Sequence, residues 1–264
     1  MRAIFLSSHG HTLPYHRRVS NEKRWNIEAV LMLGVGMLIS LSVGTFAVLA
    51  FRQLGPETSD GQQKFISFLI SGVSFQFAGL VLTHFFLKAH SVTWSEFLGL
   101  SDPRLKGAVL LALAVVLVAL PLTLGLNELS RIVITQLLGQ PEAQPTMQVL
   151  QMSQSFGQKI WFGFTAILMA PLVEEILFRG VIYRTGKQLG YPLLSLLLSS
   201  LVFAAIHGSL MTFVPLTIFA IILALLYDKT DNLLAPITTH SVFNATNFFL
   251  YIYREDLSRW WKEF

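Results

Sequence analysis

The chain contains no cysteine. Disulfides, thiolate metal sites and cysteine nucleophiles are therefore excluded. Charge is scarce as well: only 13% of the 264 residues are Asp, Glu, Lys or Arg, where a soluble domain carries about 25%. No stretch is both long and polar enough to form a soluble domain, so nothing is available to carry a nucleic-acid groove. Two hydrolase signatures are also missing. There is no His-Glu-x-x-His helix for a zinc protease, and no Gly-x-Ser-x-Gly elbow around a nucleophilic serine, although Ser241 adjoins His240.

What is present is apolar. Hydrophobic residues make up 53% of the chain, 21 residues are Phe, and the mean hydropathy is +0.59. Seven apolar segments follow one another: Ala29–Phe51, Phe65–Leu87, Gly107–Leu126, Trp161–Tyr183, Tyr191–Ile206, Leu210–Tyr227 and Asn232–Tyr253. About 20 apolar residues span a bilayer as a helix. In hydrocarbon every backbone group must bond internally, so such spans are helical. The expected fold is all-α: a polytopic helical membrane protein with about seven transmembrane segments around a polar intramembrane cavity, one or two of the later segments being short or broken.

The expected organisation is a basic cytoplasmic tail at 1–27, N-terminal transmembrane helices with their loops at 28–159, a functional transmembrane core at 160–253 and an interfacial tail at 254–264. The first tail holds Arg2, Arg17, Arg18, Lys23 and Arg24, with His9, His11 and His16 among them. Basic residues favour the cytoplasmic side, and an anionic leaflet is their natural partner. Alternation then puts Lys88–Lys106 and Arg184–Lys187 inside, and Arg52–Lys64 and Asn127–Lys159 outside. Asn127–Leu138 either extends its helix or lies on the surface, and Gly139–Lys159 reads as an exposed loop.

The chemistry concentrates in Pro171-Leu172-Val173-Glu174-Glu175-Ile176-Leu177-Phe178-Arg179-Gly180. A charge at the bilayer centre costs about 2.5–3.5 kcal/mol on insertion scales, so three in one helix need partners, protonation or water. Glu175 and Arg179 are one helical turn apart, which favours an ion pair. Glu174 points about 100° away and has no partner in its own helix. Pro171 has no N–H to donate, which loosens the preceding turn and frees a carbonyl. His207, His240 and Asn244 lie in later apolar segments. Asn244 is one turn past His240, and Pro236 lies four residues before it, opening that helix near its polar group.

A carboxylate beside histidines can deprotonate water for attack on a carbonyl, and an asparagine amide can donate to the oxyanion that forms. The same Glu and His groups can also ligate Zn²⁺. As alternatives to catalysis, the cluster would serve a non-catalytic membrane immunity or scaffold protein, or a proton relay in a transporter.

Glu174-Glu175-x-x-x-Arg179, Phe203-x-x-x-His207 and His240-x-x-x-Asn244, in that order and within apolar segments, resemble the motif set of the CPBP (Abi) family. That family comprises CAAX prenyl endopeptidases and bacterial bacteriocin-processing or immunity relatives. The resemblance covers about 160–253 and implies a glutamate-dependent intramembrane endopeptidase. It implies Glu174 as the base that activates water, His207 as its partner in orienting that water, and His240 and Asn244 as oxyanion donors. Glu175 and Arg179 are then supporting residues. No cofactor is expected, with zinc on Glu174, His207 and His240 as the alternative. The implied partners are membrane lipids and a membrane-associated peptide or protein substrate, with or without a lipid of its own. The implied location is the plasma membrane of a bacterium.

One tension accompanies this reading. With straight spans, His207 ends its segment near one face and His240 begins its segment near the other, on the order of 15 Å apart in depth. A shared site therefore requires tilt or a break near Gly208–Pro215.

Overall fold

The structure, a computed structural model, describes residues 24–140, 144–153 and 155–254. Arg2, Arg17, Arg18 and Lys23 of the basic cluster and the three histidines lie outside the described residues, as do Pro141 and the interfacial tail from 255 onward.

Among the described residues every regular element is a helix. In chain order these are α1 (Ile27–Leu54), α2 (Asp60–Ala89), α3 (Trp94–Leu98), α4 (Leu105–Leu138), α5 (Pro145–Met152), α6 (Phe156–Gln188), α7 (Pro192–Ala205), α8 (Leu210–Thr230) and α9 (Leu234–Ile252). Five of them, α1, α2, α4, α6 and α8, are long and apolar enough to cross a membrane. The two remaining apolar segments fold as α7, with 14 residues, and α9, with 19 residues that include His240 and Asn244. Asn127–Leu138 continues α4 without a break. Part of the stretch read as an exposed loop is instead α5, whose Val149 and Leu150 are buried with Phe65 and Phe162. Its apolar residues return a helical turn to the surface of α2 and α6.

Short polar side chains set the helix starts. Asn26 accepts from the Glu28 N–H to begin α1, and Ser59 from the Gln62 N–H to begin α2. Reciprocal capping boxes, Thr93 with Glu96 and Ser155 with Gln158, begin α3 and α6. Each box satisfies N–H groups that the first helical turn leaves open.

Helices α1 and α2 form a hairpin in which the Ser40 hydroxyl donates to the Ser74 carbonyl. Helix α6 is the axis of the rest. Its Val173, Ile176, Phe178 and Val181 are buried in the main core with residues from α1, α2, α7 and α8. A methyl group on Gly79 of α2 would stand 2.5 Å from Val173, so only glycine permits this approach. Helix α8 packs on α4 and α7, and α9 lies along α4 and α6.

The last residues of the supposed N-terminal tail belong to this core. Trp25 is buried against Phe86 and Phe97. Its indole N–H donates to the Gly180 carbonyl at 2.9 Å, and the Arg184 guanidinium stacks on its ring. Pro236 does not open α9, because the helix starts at Leu234 and places the proline in its first turn. No intrahelical N–H bond is made there in any case.

Candidate active site

Helix α6 is not uniformly wound. It is a π-helix over Thr165–Met169, an α-helix over Ala170–Glu175 and a π-helix again over Ile176–Tyr183. Such wide turns are rare and cluster at functional sites. Glu174 and Glu175 thus end a six-residue α-helical stretch flanked by two widened ones. The π turns also shift the faces on which flanking side chains emerge, a change that residue spacing alone does not show.

Glu175 is fully buried and acts as a hub. Its Oε1 accepts from Arg179 Nη1 at 2.8 Å and lies 2.8 Å from His240 Nδ1. The Arg179 Nη2 group donates to the Ala220 carbonyl of α8 at 2.9 Å. Its guanidinium lies 4.8 Å from the centre of the Phe203 ring of α7. The ion pair expected from the one-turn spacing is present, and it ties α6 to α7, α8 and α9 at once. An ionised carboxylate only accepts, so His240 donates from Nδ1 and turns Nε2 outward. That Nε2 stands 3.9 Å from Glu174 Oε2, beyond hydrogen-bond length. Glu174 retains 18% of its side-chain exposure, whereas Glu175 retains none. The two adjacent carboxylates are therefore set apart: Glu175 is buried, with Arg179 and His240 both on its Oε1 and no hydrogen-bond partner on Oε2, while Glu174 lies on the accessible side of His240.

His240 is clamped by aromatic rings as well. Phe203 and Phe219 meet it edge-on, with ring centroids at 5.7 and 5.5 Å. His207 packs on the same Phe203 ring at 4.8 Å, and its Nδ1 donates to the Phe203 carbonyl at 2.7 Å. Both imidazoles thus touch one phenyl ring, which closes the depth gap of about 15 Å expected for straight spans. The reason is the length of α7. Fourteen residues rise only about 21 Å, less than the roughly 30 Å hydrocarbon core. The chain turns back at Gly208, whose φ of 64° suits glycine.

Asn244 is the residue whose surroundings differ most from expectation. Its Nδ2 donates at 2.8 Å to the Ala166 carbonyl within the first π turn. One of its two amide hydrogens is thus committed to the backbone. Among the described residues neither His207 nor Asn244 hydrogen-bonds Glu174 directly. The structure joins Glu174, Glu175, Arg179 and His240 closely, places His207 across Phe203 from His240, and anchors Asn244 on α6.

The residues do not fit a metal site as they stand. Among the described residues no three His, Asp or Glu side chains are grouped to hold an ion, and Glu174, His207 and His240 form no ligand set. The motifs assign Phe203 and Phe219 no role, and residue spacing pairs Glu175 with Arg179 alone. The one-turn spacing Phe203-x-x-x-His207 carried a signal for the first. The bond from Glu175 to His240 crosses 65 residues of chain and has no local signature.

Comparison with known proteins bears on the region that holds these residues. Residues 156–246 match the family described as Type II CAAX prenyl endopeptidase Rce1-like. The chain is also 34% identical over 82 residues to "Uncharacterized protein YpbD" of Bacillus subtilis (strain 168), an alignment covering 30% of this chain and 39% of that protein. The chain thus spans less than half the length of the curated relative it matches. No solved structure matches. The family match holds every proposed site residue, and the family is one of endopeptidases. With five helices suited to crossing a bilayer, the chain is an integral membrane protein.

Proposed function

We propose that this Rce1-like chain is an intramembrane endopeptidase in which Glu174 activates the attacking water. The observation that carries the proposal is the division between adjacent carboxylates. Glu175 is neutralised by Arg179 and orients His240, whereas Glu174 is left beside His240 Nε2 with no cation bonded to it.

In the proposed reaction Glu174 takes a proton from water and the hydroxide adds to the scissile carbonyl carbon. His207, its Nδ1 fixed on the Phe203 carbonyl, turns Nε2 to the same water as an acceptor. The oxyanion is met by His240 and by the uncommitted hydrogen of Asn244 Nδ2. With Nδ1 donating to Glu175, a donation from Nε2 to the oxyanion uses the doubly protonated ring, in which both nitrogens carry hydrogen. Collapse breaks the C–N bond, and the proton held by Glu174 passes to the leaving amine. A positioned base contributes about 10²–10⁴-fold, and an oxyanion donor about 10²–10³-fold.

The substrate is a membrane-associated peptide or protein, with or without a lipid group. The host membrane is a bacterial plasma membrane, with the N-terminus cytoplasmic. The test compares the membrane peptidome of cells carrying the wild-type chain with that of cells carrying Glu174→Gln, with and without a chelator. Products that vanish with Glu174→Gln, while the protein stays folded and abundant, support the reading. Identical peptidomes would favour a non-catalytic scaffold role, and loss of cleavage on chelation would restore the zinc alternative.

A further inference from the structure

We propose that Pro171 is a positioning residue for Asn244, acting through the carbonyl of Ala166. In the first π turn the Ala170 N–H bonds the Thr165 carbonyl, five residues back. The next bond in that register would run from residue 171 to the Ala166 carbonyl. Proline has no N–H to make it, so the acceptor is left open. An unpaired backbone carbonyl away from water is unfavourable, and Asn244 Nδ2 fills it from α9 at 2.8 Å. The absent hydrogen at position 171 thus creates the socket that holds the amide of Asn244.

The consequence for chemistry is geometric. The bond fixes the plane of the Asn244 amide and leaves its second Nδ2 hydrogen in a set direction, one helical turn past His240. Pro171 is three residues before Glu174 on the same helix, so one feature of α6 registers the base and the amide against each other. This catalytic consequence rests on the function proposed above, whereas the link between Pro171 and Asn244 does not.

The test uses the full chain in lipid nanodiscs with two substitutions, Pro171→Val, which nearly preserves volume in this buried position, and Pro171→Ala. Both restore an N–H that competes for the Ala166 carbonyl. The side-chain NH₂ signals of Asn244 are identified by their loss in Asn244→Ala. In the wild type the bonded hydrogen exchanges slowly with solvent, and in both Pro171 variants it exchanges at least about tenfold faster. Unchanged exchange in both variants overturns the inference whatever the cleavage data show. For cleavage, both variants lower kcat about tenfold to a hundredfold with KM unchanged, and the loss disappears in an Asn244→Ala background. A full further loss in that background overturns the positioning role. If the wild-type chain cleaves nothing, the proposed function fails, and the exchange measurement still decides whether Pro171 governs Asn244.

Discussion

Two Glu–Arg pairs with nearly the same local spacing lie in long apolar helices of this protein. Glu128 and Arg131 on α4 are three residues apart, and Glu175 and Arg179 on α6 are four apart. Their closest N···O distances are similar, 2.5 and 2.8 Å. Their surroundings are opposite. The α4 pair keeps about half its exposure, 56% for Glu128 and 48% for Arg131, while the α6 pair keeps 0% and 2%. Helix α4 has 34 residues, about 51 Å of rise, so its last turns extend past the roughly 30 Å hydrocarbon layer. The exposed pair is bonded within its own helix, whereas the buried one is bonded through Glu175 and Arg179 to three further helices. Spacing creates both pairs, but burial and the third and fourth partners decide what each does.

The sharpest way to break this contrast is Arg179→Ala. It leaves Glu175 buried without its cation and removes the Arg179 bond to the Ala220 carbonyl that ties α6 to α8. Removing one partner of a buried pair costs about 3–5 kcal/mol. We expect a large drop in Tm in detergent micelles, with cleavage lost along with the fold. Replacing both charges, Glu175→Gln with Arg179→Met, should cost less than Arg179→Ala alone. Glutamine keeps an acceptor for His240 Nδ1, and no lone charge remains. A double variant as unstable as the single one would show that the charges themselves, and not their balance, hold the four helices.

The contrast also marks what the sequence made legible. Apolar runs gave the helices, and the one-turn spacing of Glu175 and Arg179 gave their pair and left Glu174 over. The missing N–H of Pro171 pointed to a freed carbonyl. Three features were hidden, each for a physical reason. The π winding on both sides of Glu174 and Glu175 leaves no periodic mark in so apolar a stretch. The contact of Glu175 with His240 is a long-range one. Trp25 sits in a polar, basic stretch that reads as tail, yet its ring completes the core around α6.

Trp25→Phe probes a bond between the two extremes, neutral but buried. Phenylalanine retains most of the apolar ring and removes the buried indole bond to the Gly180 carbonyl. Losing one such bond costs about 0.5–1.5 kcal/mol. We expect a Tm loss smaller than that of Arg179→Ala, read in the same micelles. A loss as large as that of Arg179→Ala would mean that the N-terminal segment, and not the ion pair, is the main fastening of α6.

The smallest effect should come from Arg131→Gln. Both members of the α4 pair are exposed in the last turns of a helix longer than the hydrocarbon layer; where they meet water, each charge keeps its own hydration when the other is removed, and salt screens what attraction remains. The expected result is a Tm unchanged within error at both low and high salt. A salt-dependent loss would show that the end of α4 is shielded by lipid headgroups or by another chain. The exposed pair would then no longer be the solvated counterpart against which the buried network is measured.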